Sequence, residues 1–253
     1  MVTRRDLFLL ATAWALLTTA GVVLVIAVPL FPPPAAQEAR VIDGAMGLLT
    51  ALSAPVFALV VVGLGYCLVR FRRPGVPDGD GPPLRGHLGL ELTWVAVTLA
   101  LVVFLAFYGS FSLVELRAHA EHEQDALVVQ ATGSQWFWEF SYPDLGVRTR
   151  EALVLPVGQR VRFQVLATDV VHSFWVPAFR VKIDAVPGLV TSVVATPDRI
   201  GQFQQDEDLR VQCAELCGLG HGAMASPVVI VEPHEFQAWI AEQRERQLRP
   251  QGR

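Results

Sequence analysis

Three apolar stretches, at residues 7–31, 45–69 and 92–114, carry no charged side chain and dominate the first half of the chain. Each exceeds the ~20 residues a helix needs to cross the hydrocarbon core of a bilayer. No water is available there for unpaired backbone groups, so helix is the form these stretches must take. The pattern predicts a membrane hairpin with spans at about 45–70 and 91–115, preceded by a further apolar segment. From Leu127 the texture changes to short β-branched and aromatic runs separated by Pro, Gly and Asp. Runs at 126–131, 137–142, 160–166, 190–195 and 227–231 predict the strands of an all-β sandwich or barrel. Residues 233–247 return to helical spacing, with Phe236, Trp239 and Ile240 on one face, and read as a packing helix.

The predicted organisation is therefore a signal peptide or extra transmembrane anchor (1–36), a helical hairpin (37–118), a β-domain (119–232), and a C-terminal helix and tail (233–253). Linkers are expected at 32–36, 74–86 and 117–125, where Pro, Gly or polar residues gather. Arg4 and Arg5 precede the first run, and Arg70, Arg72, Arg73 and Arg85 lie between the second and third. The intervening loop holds only Arg40, balanced by Glu38 and Asp43. The positive-inside rule then makes the arginine-bearing ends cytoplasmic and places everything after Val114 outside. The first run has the basic start of a signal peptide and small residues at Pro34-Ala35-Ala36, but an apolar core long enough for a retained anchor. Thr3-Arg4-Arg5-Asp6-Leu7 also resembles a twin-arginine signal. Both fates stay open.

Hydrophobic residues make up 52% of the chain and charged residues 17%, with a mean hydropathy of +0.41, too apolar for an ordinary soluble domain. The net charge of −4 and the lack of a basic patch interleaved with aromatics exclude nucleic acid as an expected partner. No internal repeat and no phosphate-cradling glycine loop is present. Cys67, at the end of the second run, reads as a small buried hydrophobe. The other two cysteines fall in Cys213-Ala-Glu215-Leu-Cys217-Gly-Leu-Gly-His221-Gly-Ala-Met224, and His172 lies well upstream. Thiols, imidazoles and a thioether are soft ligands, and soft ligands select copper. One thiolate, one imidazole and one thioether would hold a single copper, whereas a second cysteine lets two thiolates bridge a pair. A disulfide is the competing reading in an oxidising compartment. Closing so short a loop gains little chain entropy, and it leaves His221 and Met224 unexplained, so metal is preferred.

These residues also carry a family resemblance. Gln212-Cys213-Ala-Glu215-Leu-Cys217-Gly218-x-x-His221-x-x-Met224 resembles the binuclear copper (CuA) signature of subunit II of haem–copper cytochrome c oxidases. Val171-His172-Ser173-Phe174-x-x-Pro177, Lys182-Ile-Asp184-Ala-Val-Pro187-Gly188, Gln135-Trp136-Phe137-Trp138 and Glu91-x-x-Trp94 are similar to further segments of that family. The resemblance runs from about residue 45 to 232 and implies a cupredoxin-like Greek-key barrel after the membrane helices.

It implies ligand roles too: His172 and Met224 for one copper, His221 and the Glu215 carbonyl for the other, with Cys213 and Cys217 bridging. The Glu215 carboxylate would help bind a Mg²⁺ ion shared with subunit I, a hard ligand for a hard cation. Trp136 would be the point where electrons enter from a docked c-type cytochrome, while Trp138 reads as an ordinary sheet aromatic. Asp169 and Asp184, with Glu139 and Asp144 as additions, match acidic docking positions, which act mainly on association rate. Glu91 matches a glutamate at the mouth of a proton channel in subunit I. The implied partners are subunit I, subunit III, the donor cytochrome and the lipid bilayer, in a bacterial-type cell membrane with the copper domain on the outer, periplasmic face.

Two departures stand out. Gln202-Phe-Gln-Gln-Asp-Glu-Asp-Leu-Arg-Val211 replaces a tight Tyr/Phe-x-Gly-Gln-Cys approach to the loop, and the first apolar run is extra. No Cys–x–x–Cys–His follows the domain, so no tethered haem c is expected. The rival readings are the CuA domain of a nitrous oxide reductase, a quinol oxidase subunit II and a membrane-anchored copper-delivery protein. The apolar runs oppose the first, the two thiols oppose the second, and the Gln135-Trp136 run and membrane hairpin oppose the third.

Overall fold

The computed structural model describes residues 2–29, 31–72, 75, 86–118 and 126–249. Arg73, Arg85 and most of the linkers expected at 74–86 and 117–125 lie outside the described residues. The chain divides into two compact units: residues 1–30 with 44–115, and residues 31–43 with 116–253.

The first unit is built from three helices, α1 (Arg4–Ala27), α2 (Gln37–Arg70) and α3 (Leu88–Ala118). All three are long and apolar enough to cross a membrane. Large apolar side chains point outward all round them, among them Phe8, Ile26, Phe57, Leu64, Trp94 and Phe107. A helix apolar on every face is suited to lipid, not to a water-facing surface. The chain is thus membrane-anchored. Within this unit α1 lies along α2: Trp14 Nε1 donates to the Pro55 carbonyl at 2.9 Å. Among the described residues Cys67 is exposed on α2, not buried as its type suggested.

The second unit is the β-domain. One sheet has the order β3 (Val147–Thr149), β2 (Phe137–Tyr142), β1 (Leu127–Ser134), β5 (Val161–Ala167), β8 (Thr191–Ala195). The other runs β4 (Leu153–Pro156), β11 (Ala225–Val231), β10 (Arg210–Cys213), β6 (His172–Val176), β7 (Val181–Ala185), with β9 (Gly201–Gln202) also on β11. The chain changes sheet at β3–β4, β4–β5, β5–β6, β7–β8 and β8–β9, and β1–β5 and β4–β11 are parallel. This is the all-β, cupredoxin-like arrangement that the strand texture and the resemblance predict. Burial alternates strictly along β1, β2 and β5, as a strand with one face on the core requires. Trp138, Phe140, Tyr142, Phe163, Phe174 and Phe179 fill the space between the sheets. The last helix, α4 (Pro233–Leu248), buries Phe236 and Ile240 and sets Trp239 edge-on to Tyr142. Its role is packing.

Residues 31–43 are part of this domain. Ala35, Ala36 and Ala39 are fully buried in its core. The Ala35 N–H donates to Ala178 and the Gln37 N–H to Thr196. Glu38 accepts from the Thr196 N–H and hydroxyl at 2.8 and 3.0 Å. Arg180 donates to both Asp43 carboxylate oxygens and to the Pro32 carbonyl. Arg199 reaches the carbonyls of Pro33 and Pro34. The small residues at 34–36 therefore have a packing role, and α2 starts ahead of the apolar run because its first turns belong to the β-domain.

The acidic insertion closes on itself. Asp206 holds Arg199 at 2.6 Å and accepts from the Asp208 N–H, while Leu209 is fully buried. Arg199 thereby links the insertion to the segment at Pro33 and Pro34.

Candidate metal centre

Three connections of the β-domain, the β1–β2 turn, the β5–β6 loop and the β10–β11 loop, meet around Cys213 and Cys217. Cys213 ends β10 and His172 opens β6, and these strands pair with Cys213 opposite Phe174. The loop leaving β10 is held at its neck by Cys213 N–H to Met224 carbonyl and Ala214 N–H to Ser173 carbonyl, both 3.0 Å. It turns through a short 3₁₀ segment, His221–Ala223, and returns Met224 to the head of β11. Ladder register, not loop sequence, thus sets the sulfur of Cys213 beside that of Met224's loop and the ring of His172. Gly133 in β1 leaves the room: a Cβ there would lie 3.0 Å from the His172 ring.

The donor atoms form a connected series. His172 Nδ1 lies 3.8 Å from Cys213 Sγ, the two sulfurs are 3.7 Å apart, and His221 Nδ1 lies 3.6 Å from Cys217 Sγ. Met224 Sδ is 3.8 Å from Cys217 Sγ, and the Glu215 carbonyl oxygen is 3.3 Å from Cys213 Sγ. Both cysteines are free thiols, so the disulfide reading does not describe this structure. Metal–sulfur and metal–imidazole bonds of ~2.3 and ~2.0 Å place neighbouring tetrahedral donors roughly 3.5–4 Å apart. The observed separations fit that geometry. Each imidazole neighbours a different sulfur, His172 beside Cys213 and His221 beside Cys217.

The pocket is apolar. His172 and Met224 are fully buried and both cysteines nearly so, with Trp138 set edge-on to His172 and to Phe174. Burial, reinforced by the neighbouring Cys213 thiol, pushes the Cys217 thiol up to about 11. The protons of such a thiol leave when a metal takes their place.

Asp169, exposed ahead of β6, also reaches the proposed ligand His172. Its Oδ1 lies 2.8 Å from His172 Nε2, and the carboxylate also accepts from the Gln135 and Val170 N–H groups. Burial works to raise this carboxyl, but those hydrogen bonds outweigh it and hold the group below its ordinary value. Asp184 is exposed on β7, opposite Ser173. Glu139 is paired with Arg150 at 2.9 Å. Asp144 sits in the 3₁₀ turn beyond the far end of β2, whose 6 residues span roughly 20 Å at ~3.3 Å per residue. The geometry therefore does not bring Asp144 to the rim around Trp136. The Glu215 side chain is exposed on the loop. Glu91, in the membrane unit, accepts from the His87 N–H at 3.1 Å, a helix-capping contact that by itself explains an acid at that position.

Trp136 is half-exposed beside the ligand loop, its indole Nε1 donating to the Cys217 carbonyl at 3.1 Å. Gln135 Nε2 donates to the same oxygen at 2.8 Å. Gln135 carries no role in the sequence reading. Its only signal there was its place next to Trp136.

Residues 146–232 match the family model described as cytochrome c oxidase subunit II, periplasmic domain. The chain is 30% identical to cytochrome c oxidase subunit 2 of Thermostichus vulcanus, over 90% of this chain and 84% of that one. It is 30% identical to the subunit 2 of Synechocystis sp., over 84% and 75%. Among solved structures, the periplasmic domain of cytochrome oxidase subunit II (CoxB) of Bradyrhizobium japonicum is 32% identical. It covers 47% of this chain and 94% of its own, with a TM-score of 0.44. With its apolar helices, its two-sheet β-domain and its His/Cys/Cys cluster of metal-ligand type, the chain belongs to the subunit II family of cytochrome c oxidases and is a component of a haem–copper oxidase.

Proposed function

We propose that this chain is the electron-accepting subunit of its oxidase, taking single electrons from a c-type cytochrome and relaying them to the haem of subunit I, where dioxygen is reduced. The observation that carries the reading is the series of soft donors spaced 3.6–3.8 Å, from His172 through both thiols to His221 and Met224. His172 and Met224 would hold one copper, His221 and the Glu215 carbonyl the other, and Cys213 and Cys217 would bridge them. A copper pair held by bridging thiolates supplies one-electron storage and transfer with little change in bond length.

The chain's own residues do the rest. Asp169 fixes the His172 ring, so that Nδ1 faces the thiols. Trp138, Phe174 and Met224 exclude water from the thiol pair, and a dry, apolar surround is what tunes such a site's potential. Trp136 offers a half-exposed π-system in hydrogen-bond contact with the ligand loop, on the side where a donor would dock. The exposed carboxylates of Asp184 and Asp169 would steer a basic cytochrome. The exposed Glu215 carboxylate suits a Mg²⁺ ion shared with subunit I. By resemblance, subunits I and III are the membrane partners, Glu91 faces the proton channel of subunit I, and the β-domain lies on the periplasmic side of the cell membrane.

The test is spectroscopic. The full chain in detergent, loaded with copper, should give an EPR spectrum in which one unpaired electron is shared equally by two copper nuclei, with the near-infrared band of a mixed-valence pair. A spectrum localised on one copper would point instead to a copper-delivery role and sink the relay.

A further inference from the structure

Two glycines of the ligand loop lie under the Trp136 indole, and they are there for different reasons. Gly218 has φ +114°, a conformation that side chains other than glycine rarely adopt. Gly220 has φ −88° and ψ 6°, which any residue can adopt. Backbone geometry thus gives no reason for glycine at 220. Space does. A Cβ at Gly220 would lie 2.9 Å from Cε3 of the indole and closer still to Cγ and Cδ2. Those are ring atoms anchored in a half-buried position, so a methyl group there must displace the whole indole.

What the indole would lose is specific. Its Nε1–H reaches the Cys217 carbonyl at 3.1 Å, and Gln135 Nε2 reaches the same oxygen at 2.8 Å from the other side chain of the same turn. Gln135 also has its backbone N–H tied to Asp169, which in turn holds His172. The turn is therefore fixed at one end by the His172 support and at the other by the Cys217 carbonyl.

We propose that Gly220 is a positioning residue whose missing side chain seats the Trp136 indole on the ligand loop, making the hydrogen bond to the Cys217 carbonyl the route by which an electron leaves the ring. The path runs from the indole through N–H···O=C and then along the covalent frame of Cys217 to its Sγ. No bond forms or breaks and no proton moves. A reduced c-type haem loses one electron and the oxidised centre gains it. A ring pushed off the loop breaks the N–H···O link and leaves a through-space gap. This rests on the reading of the thiol cluster as a copper centre fed through Trp136.

The experiment compares wild type, Gly220→Ala, Trp136→Phe and the Gly220→Ala/Trp136→Phe double variant, each as the full chain loaded with copper. EPR reads the centre, and stopped-flow reduction by a ferrous c-type cytochrome reads electron delivery. Gly220→Ala is expected to keep the two-copper spectrum and to be reduced several-fold more slowly, with Trp136→Phe similarly slow and the double variant no slower than either. A wild-type rate in Gly220→Ala, or fully additive losses in the double variant, would overturn the proposal. If Gly220→Ala disturbs the spectrum itself, Gly220→Ala/Trp136→Ala decides: removing the ring removes the clash, so the spectrum should return, and failure to return overturns the seating role. A wild-type protein without a two-copper spectrum would instead remove the underlying functional reading.

Discussion

Asp169 Oδ1 and His172 Nε2 are 2.8 Å apart, three residues from each other in sequence and joined across the opening of β6. The contact leaves Nδ1 as the nitrogen facing Cys213. An acid on the far side of a ligand imidazole selects its tautomer and its orientation. The same carboxylate accepts the Gln135 N–H at 2.7 Å, so one side chain serves both the proposed ligand and the turn that carries Trp136. Replacing Asp169 with Ala is expected to lower copper affinity by about 10- to 100-fold, the usual cost of losing such an outer partner. Competitive titration with a chelator measures it. Affinity and EPR hyperfine pattern both equal to wild type would show that the contact orients nothing.

Met224 is fully buried and packs its thioether against Cys217. Leucine has nearly its volume, and swaps of that kind cost under about 1.5 kcal/mol. Met224→Leu should therefore fold and keep two coppers while shifting the reduction potential, because only the weak ligand changes. Spectroelectrochemical titration follows the shift. Loss of one copper would mean that the thioether is essential to binding.

Arg180 joins the two ends of the β-domain's N-terminal segment, with side chains of Arg180 and Asp43 only 10% and 22% exposed. Removing one partner of a fully buried pair costs about 3–5 kcal/mol because the other charge is left without compensation, and this partly buried pair should cost less than that. Arg180→Ala should lower the thermal unfolding temperature of the full chain. Arg180→Lys should recover only part, since lysine has no planar fork to span both Asp43 oxygens and the Pro32 carbonyl. An unfolding temperature unchanged in Arg180→Ala would mean that residues 31–43 add nothing to the domain.

Phe236 anchors α4 beneath Tyr142, with ring centroids 6.0 Å apart. Phe236→Ala should destabilise the chain by about 3–5 kcal/mol, the usual range for a buried aromatic. The copper spectrum of whatever protein remains folded should be unaltered, because α4 contributes no donor atom to the site. A changed spectrum at unchanged stability would contradict a purely packing role for the helix.

The parts of this molecule legible in its sequence are those governed by local rules. The apolar runs announce their helices by length alone. The alternation along β1 and β5 announces strands with one buried face. The spacing of Cys213, Cys217, His221 and Met224 is legible because one loop carries all four. His172 was legible only beside that loop, since a lone histidine in an apolar run is otherwise unremarked. Asp169 is exposed, as its position suggested, and only the fold shows that its carboxylate also turns onto His172. Asp144 was placed with the docking acids on sequence position, and β2 carries it to the opposite end of the sheet. The small residues at 34–36, compatible with a cleavage site, owe their size to burial in a core assembled from strands far away in sequence.

The sequence by itself determined the membrane helices, the all-β character of the second unit and the set of soft donors, because each depends on residue type at short spacing. Only the tertiary structure decided what those donors face and what supports them. The pairing of β6 with β10 brings His172 to Cys213. The turn at Gln135 and Trp136 reaches the Cys217 carbonyl, and Gly220 proves to be a matter of space and not of backbone. Such relationships join residues as far apart as Gln135 and Cys217 or Trp136 and Gly220. Strand register and side-chain packing set them, and neither is written in any single stretch of the chain.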